Sequence, residues 1–106
     1  MIVVTSETIA NKKIVRTLGL VRGNTVRARH IGKDIMAELR NIVGGEVHEY
    51  AKLIAESREQ TLDRMTAEAR SLGANAIIAT RFTTSVMAAG AAELLAVGTA
   101  VVVEDE

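Results

Sequence analysis

The chain has 106 residues, 48% of them hydrophobic, with Tyr50 and Phe82 as its aromatics and with no cysteine and no proline. That length fits a single domain over residues 1–106, with a core built from Ile, Val, Leu, Met and Ala. The lack of cysteine excludes a disulfide framework and a thiolate metal site. Net charge is zero but unevenly placed, with seven bases and no acid from Thr8 to Lys33, then twelve acids against six bases from Asp34 onward. Such asymmetry can mark a nucleic-acid face. The stretch offers no aromatic for base stacking and the chain is not basic overall, so contact between the halves or between subunits is the favoured reading. The longest apolar run, Leu94–Val103, falls short of the roughly 18 residues needed to cross a bilayer. The N-terminus also lacks the basic-then-apolar pattern of a signal peptide. A cytoplasmic protein with no membrane partner is expected.

Ile2–Thr5 is a β-branched run and a first strand. Lys13–Val21 is a second, with a turn signal or bulge at Gly23–Asn24. Thr25–Arg29 resumes with period two, which puts Val26 and Ala28 on one face and Arg27 and Arg29 on the other. Ile31, Ile35, Leu39 and Ile42 recur at helical spacing, so a helix is expected over Ile31–Val43, stopped by the Gly44–Gly45 pair. A longer helix follows over Glu46–Leu72, ended by Gly73. Its expected apolar stripe is Val47, Tyr50, Ile54, Met65, Ala69 and Leu72, widened by Leu53 and Leu62. Asn75–Val86 and Glu93–Val103 read as the last two strands. The order β-β-α-α-β-β predicts an α+β domain, with two helices on one side of a mostly antiparallel sheet. The last strands show no apolar–polar alternation, so both their faces need cover and one helix layer supplies one of them. A homo-oligomer is expected, with its interface on these strands alone or together with the long helix.

Chemistry-bearing residues are few. Zinc and related ions need three or more converging ligands. Glu46, His48 and Glu49 cluster after the glycine pair and are the candidate metal ligands, although close neighbours on a helix point apart. His30 sits among Arg29 and Lys33, which disfavours a bound cation. Met36 and Met65 fall on apolar stripes and read as core. No serine lies in a nucleophile elbow, and Gly19, Gly23 and Gly32 are too widely spaced for a phosphate loop. Arg81 and Glu93 are charges set inside two consecutive strand-like segments. They are expected to pair across the hairpin, or else to line a pocket or an oligomer's channel as ligand or interface groups.

The stretch Asp34–Glu46 with its glycine pair, then Tyr50, the helix around Arg58, Leu72–Ile78 and Val97–Val101 together resemble the YbjQ family of small bacterial and archaeal proteins. The resemblance spans nearly the whole chain. It implies an α+β fold, a ring-shaped homopentamer and a divalent or heavy metal ion as cofactor or cargo. The expected function is a non-enzymatic, oligomeric small-ligand or metal-binding scaffold. Two alternatives stand beside it: a metal-binding protein proper, and an enzyme whose site lies at the subunit interface with Arg81 or Glu93 among its polar groups.

Overall fold

The computed structural model describes residues 1–27, 47–88 and 91–106, with side chains placed at 1–26, 54–85 and 92–106. The elements in chain order are β1 (Ile2–Val3), β2 (Lys12–Arg27), α1 (Val47–Ser71), β3 (Ala76–Ala88) and β4 (Ala91–Asp105). The strands form one sheet in the order β1-β3-β4-β2. β4 pairs antiparallel with both β2 and β3, whereas β1 pairs parallel with β3. The result is a small α+β protein with a mixed sheet and a helix packed on one face. The helix expected over Ile31–Val43, the Gly44–Gly45 pair and Glu46 lie outside the described residues, so the described order is β-β-α-β-β.

No turn interrupts β2 at Gly23–Asn24: the strand pairs with β4 without a break from Gly19 to Arg27. Its irregularities fall earlier, with register shifts between Ile14 and Arg16 and between Thr17 and Gly19. Bulges of this kind increase local twist and bend the strand. From Val21 onward burial alternates: Val21, Gly23 and Thr25 are buried, whereas Arg22, Asn24 and Val26 are exposed. Val26 therefore shares a face with Arg22.

α1 lies within a residue of its expected bounds at each end. Gly73 adopts φ 89°, a left-handed conformation that glycine takes without a Cβ clash. The Ala74 N–H donates to the Ala69 carbonyl at 3.1 Å and the Gly73 N–H to the Arg70 carbonyl at 3.0 Å. These two bonds form a Schellman cap and satisfy carbonyls the helix end would otherwise orphan. The buried stripe differs from the expected one. Among the described side chains of α1, Ser57, Thr61, Met65 and Ala69 are buried, while Leu72 beyond its end is exposed; the side chains of Val47, Tyr50 and Leu53 lie outside the described set. Small residues occupy the stripe because the helix lies directly on Gly23, where an added Cβ would sit 2.4 Å from the Thr61 carbonyl oxygen. The polar members are paired. Thr61 Oγ1 donates to the Ser57 carbonyl at 2.8 Å and lies 3.0 Å from Thr25 Oγ1.

Two apolar clusters result. Val21, Met65, Ala69, Ile77, Ala96 and Ala100 fill the space between sheet and helix. Each large, fully buried side chain there contributes about 1.5–3 kcal/mol. On the opposite face Ala76, Val101 and Val103 pack with Ile9 and Ile78, so the segment between β1 and β2 covers one end of that face. Beside the first cluster, Thr80 Oγ1 is buried and has no hydrogen-bond partner among the described residues. Thr80→Val should leave stability unchanged or raise it by about 1 kcal/mol, because the unmet desolvation of the hydroxyl is removed. Urea denaturation at matched concentration measures this, and a loss above about 1 kcal/mol would refute it.

The far ends of β2 and β4 are tied by an exposed ion pair between Lys12 and Asp105. The hydrogen bond from Lys12, and then its charge, hold the Asp105 carboxyl below its ordinary value of 3.8. A depressed folded value means the contribution is present above pH 3.8 and is lost as pH falls through the lower folded value. Carboxyl carbon NMR should find the Asp105 midpoint below 3.8 and return it to that value in Lys12→Ala. Equal midpoints in the two proteins would contradict the pairing. Among the described residues, no helix is long and apolar enough to cross a membrane.

Candidate functional site on the open face of the sheet

Residues directly opposite in an antiparallel pair share a face, so the register lays out the side of the sheet that α1 does not cover. Val97 on β4 lies between Arg22 of β2 and Arg81 of β3. Leu95 lies between Asn24 and Thr83, and Glu93 between Val26 and Ser85. At the other side of the arginine row, Thr99 lies between Leu20 and Ile78. Leu95, Val97 and Thr99 are half-buried and run down the middle of this face. Leu20 and Val26 stand at 67% and 50% exposure.

Arg81 is aimed by a bulge. The register slips between Ile78 and Arg81, and Ala79 takes φ 53° within the slip. A non-glycine residue there costs about 1–2 kcal/mol. Two backbone bonds to the N-terminal segment hold it: Ala79 N–H to the Ser6 carbonyl at 2.9 Å and Thr80 N–H to the Val4 carbonyl at 3.0 Å. Arg81 Nη1 then donates to the carbonyls of Thr5 and Thr80, each at 2.9 Å. Its guanidinium is fixed where the N-terminal segment leaves the sheet edge.

The expected pairing of Arg81 with Glu93 does not form. Arg81 faces Val97 and Glu93 faces Ser85, a separation of four residues, or about 13 Å along the strand. Glu93 Oε2 instead accepts from Asn24 Nδ2 at 2.9 Å. Alternation placed both charges inside strands, but pairing depends on the bulge, which has no clear sequence signal. In the sequence Arg22 belongs to the basic stretch with Arg27 and Arg29; its place in one row with Arg81 emerges once β4 is inserted between β2 and β3.

The candidate metal ligands fall outside the described side chains. Glu46 lies outside the described residues, and of His48 and Glu49 the backbone of α1 alone is described. No group of three or more His, Asp or Glu that could hold a metal ion occurs among the described residues. With no cysteine in the chain, soft thiolate ligation is also unavailable. The described donor set therefore does not fit a heavy-metal centre.

Together these features define a small α+β protein with one sheet face under a helix and the other, among the described residues, uncovered at its arginine row around Val97. Residues 1–104 match the model of the YbjQ family, described as "Putative heavy-metal-binding", and the chain belongs to that family. A UPF0145 protein of Dehalococcoides mccartyi is 56% identical over 104 residues, covering 98% of this chain and 100% of that protein. A UPF0145 protein of Methanosarcina acetivorans is 54% identical over 101 residues, covering 95% of each. A crystal structure of a protein of unknown function from Pediococcus pentosaceus, assigned to the DUF74 family, is similar in fold, with a TM-score of 0.64 over 98% of each chain at 14% identity.

Proposed function

We propose that the chain is a non-enzymatic, homo-oligomeric binding protein, a pentameric ring as the family resemblance implies, whose ligand is held on the open sheet face near a subunit boundary. The observation that carries this reading is the combination of apolar exposure with free strand edges. Leu20 and Val26 project from the open face at 67% and 50% exposure. They lie on β2, an edge strand with no described strand on its outer side, where side chains of α1 engage two backbone groups: Arg64 donates to the Asn24 carbonyl and Glu68 accepts from the Arg22 N–H. β3 offers a second edge, because β1 pairs with Ala76 and Ile77 and leaves Arg81–Ala88 without a described neighbour. Open edges of this length template pairing with another chain unless they are covered. A second copy of this chain supplies matching edges and an equivalent apolar surface, and a ring closes without leaving either edge free.

Light scattering at micromolar concentration tests the assembly. A mass of five times the 11.3 kDa subunit is expected, and a clean monomer would overturn the reading.

A further inference from the structure

We infer that the Arg22–Val97–Arg81 row is a binding site for a tetrahedral oxyanion, a phosphate group either free or carried on a small organic molecule. The inference rests on the proposal that the open face holds a ligand, and it names the class of that ligand.

Arg22 and Arg81 are both exposed and both stand directly opposite Val97 on one face. With neighbouring strands about 4.8 Å apart, their backbones lie roughly 10 Å from each other across β4, with the Arg81 guanidinium held on the Thr5 side of β3 and Arg22 left to reach across from β2. No carboxylate among the described residues pairs with either guanidinium; the described ion pair is that of Lys12 with Asp105. The acid on the same face, Glu93, lies two rows away and is engaged by Asn24. Among the described residues the two guanidinium groups thus carry no carboxylate partner, although the Glu68 carboxylate comes to the outer edge of β2, where it accepts from the Arg22 backbone N–H at 3.5 Å.

The geometry favours an oxyanion over a simple counter-ion. A guanidinium carries five N–H donors in a rigid fork. Arg81 uses Nη1 on the Thr5 and Thr80 carbonyls, which fixes the plane of the fork and leaves the donors on Nη2 and Nε for a ligand. The strained Ala79 bulge sets its direction, and strain of this kind persists where the surrounding structure over-determines it and gathers at functional sites. Thr99 and Thr83 add hydroxyls in the rows on either side of Val97. Arginine on two sides of one anion favours a tetrahedral phosphate, which offers more acceptor oxygens and more negative charge than the two oxygens and single charge of a carboxylate. Val97 and Leu95, half-buried between the polar groups, give an apolar floor on which an organic substituent can lie.

Calorimetric titration of the full chain in phosphate-free, sulfate-free buffer tests the site, with inorganic phosphate, phenyl phosphate and acetate as probes. Saturable phosphate binding is expected, weakened about tenfold or more by Arg22→Gln and by Arg81→Gln, with Arg81→Lys between wild type and Arg81→Gln. Tighter binding of phenyl phosphate would support an organic phosphate on the Val97–Leu95 floor, and equal binding of the two would support the free anion. Acetate binding as tightly as phosphate would overturn the tetrahedral assignment. An absence of saturable phosphate binding up to about 10 mM would overturn the site, as would unchanged affinity in Arg22→Gln. Arg22 makes no described side-chain contact, so that variant stays informative if Arg81→Gln disturbs the N-terminal segment. Light scattering on the same samples separates the two readings. A monomer that still binds phosphate would defeat the ring and leave the anion site standing. An intact ring that binds no phosphate would defeat the anion site alone. A ring that falls apart in Arg22→Gln, with no phosphate bound by wild type, would assign the arginines to subunit contacts and overturn the site.

Discussion

Replacing Gly23 by alanine should cost about 3 kcal/mol of stability, and Gly23→Val should cost more. A Cβ at this position would lie 2.4 Å from the Thr61 carbonyl oxygen, 2.5 Å from the Met65 backbone nitrogen and 3.0 Å from Arg64 Cβ. Two of these three atoms belong to the helix backbone, so no rotamer change relieves the contact. α1 must lift from the sheet as a body, which loosens Met65 and Ala69 against Val21, Ala96 and Ala100. It also strains the Thr25–Thr61 hydroxyl contact. For a domain of this size each kcal/mol lowers the melting temperature by roughly 4–8 °C. Thermal melts at matched subunit concentration should therefore show a drop of roughly 15 °C for the alanine variant. A melting temperature within a few degrees of wild type would mean that the helix does not rest on this glycine.

The same contact explains what the amino-acid pattern reveals and what it conceals. The ends of α1 are legible because Gly73 has one job there and a local signature. The face of α1 is less legible. Hydrophobic periodicity selects Ile54, Met65, Ala69 and Leu72, yet the surface against the sheet runs through Ser57 and Thr61 and leaves Leu72 exposed. Those polar residues are buried because a bare strand position opposite them demands small side chains, and because each finds a local hydrogen-bond acceptor or partner. That information lies on β2, far away in sequence. The Gly23–Asn24 pair, which has the composition of a turn, is used for close approach of a helix at one residue and for a bond to Glu93 at the next. Register is hidden for a related reason. Bulges near Val15, Leu18 and Ala79 shift which residues meet across the sheet, so charges on consecutive strands did not locate the arginine row. The two-faced apolar character of β4 is legible, and its consequence is partly met within the subunit: Ile9 and Ile78 cover the Val101–Val103 end, and Leu95 and Val97 are half-buried with no such cover among the described residues.

Leu20→Asp is the sharpest test of assembly through the face that α1 does not cover. Leu20 is 67% exposed in the isolated subunit, so the substitution should leave the subunit's own fold within about 0.5 kcal/mol of wild type. Inside a subunit contact the same carboxylate must be desolvated without a partner, at a cost of several kcal/mol per interface. Each 1.4 kcal/mol weakens association about tenfold, and a ring repeats the penalty at every boundary, so the variant should sediment as single subunits at a concentration where wild type is assembled. Leu72 is the control. It is also an exposed leucine, at 47%, but it directly follows Ser71, the last residue of α1, and is not part of the Leu20–Thr99–Ile78 row. Leu72→Asp should therefore leave the assembled mass unchanged. If both variants dissociate alike, added charge rather than the open face governs assembly. If neither does, subunits do not meet through the surface around Leu20, and the apolar side chains of β2 serve some contact other than the one proposed.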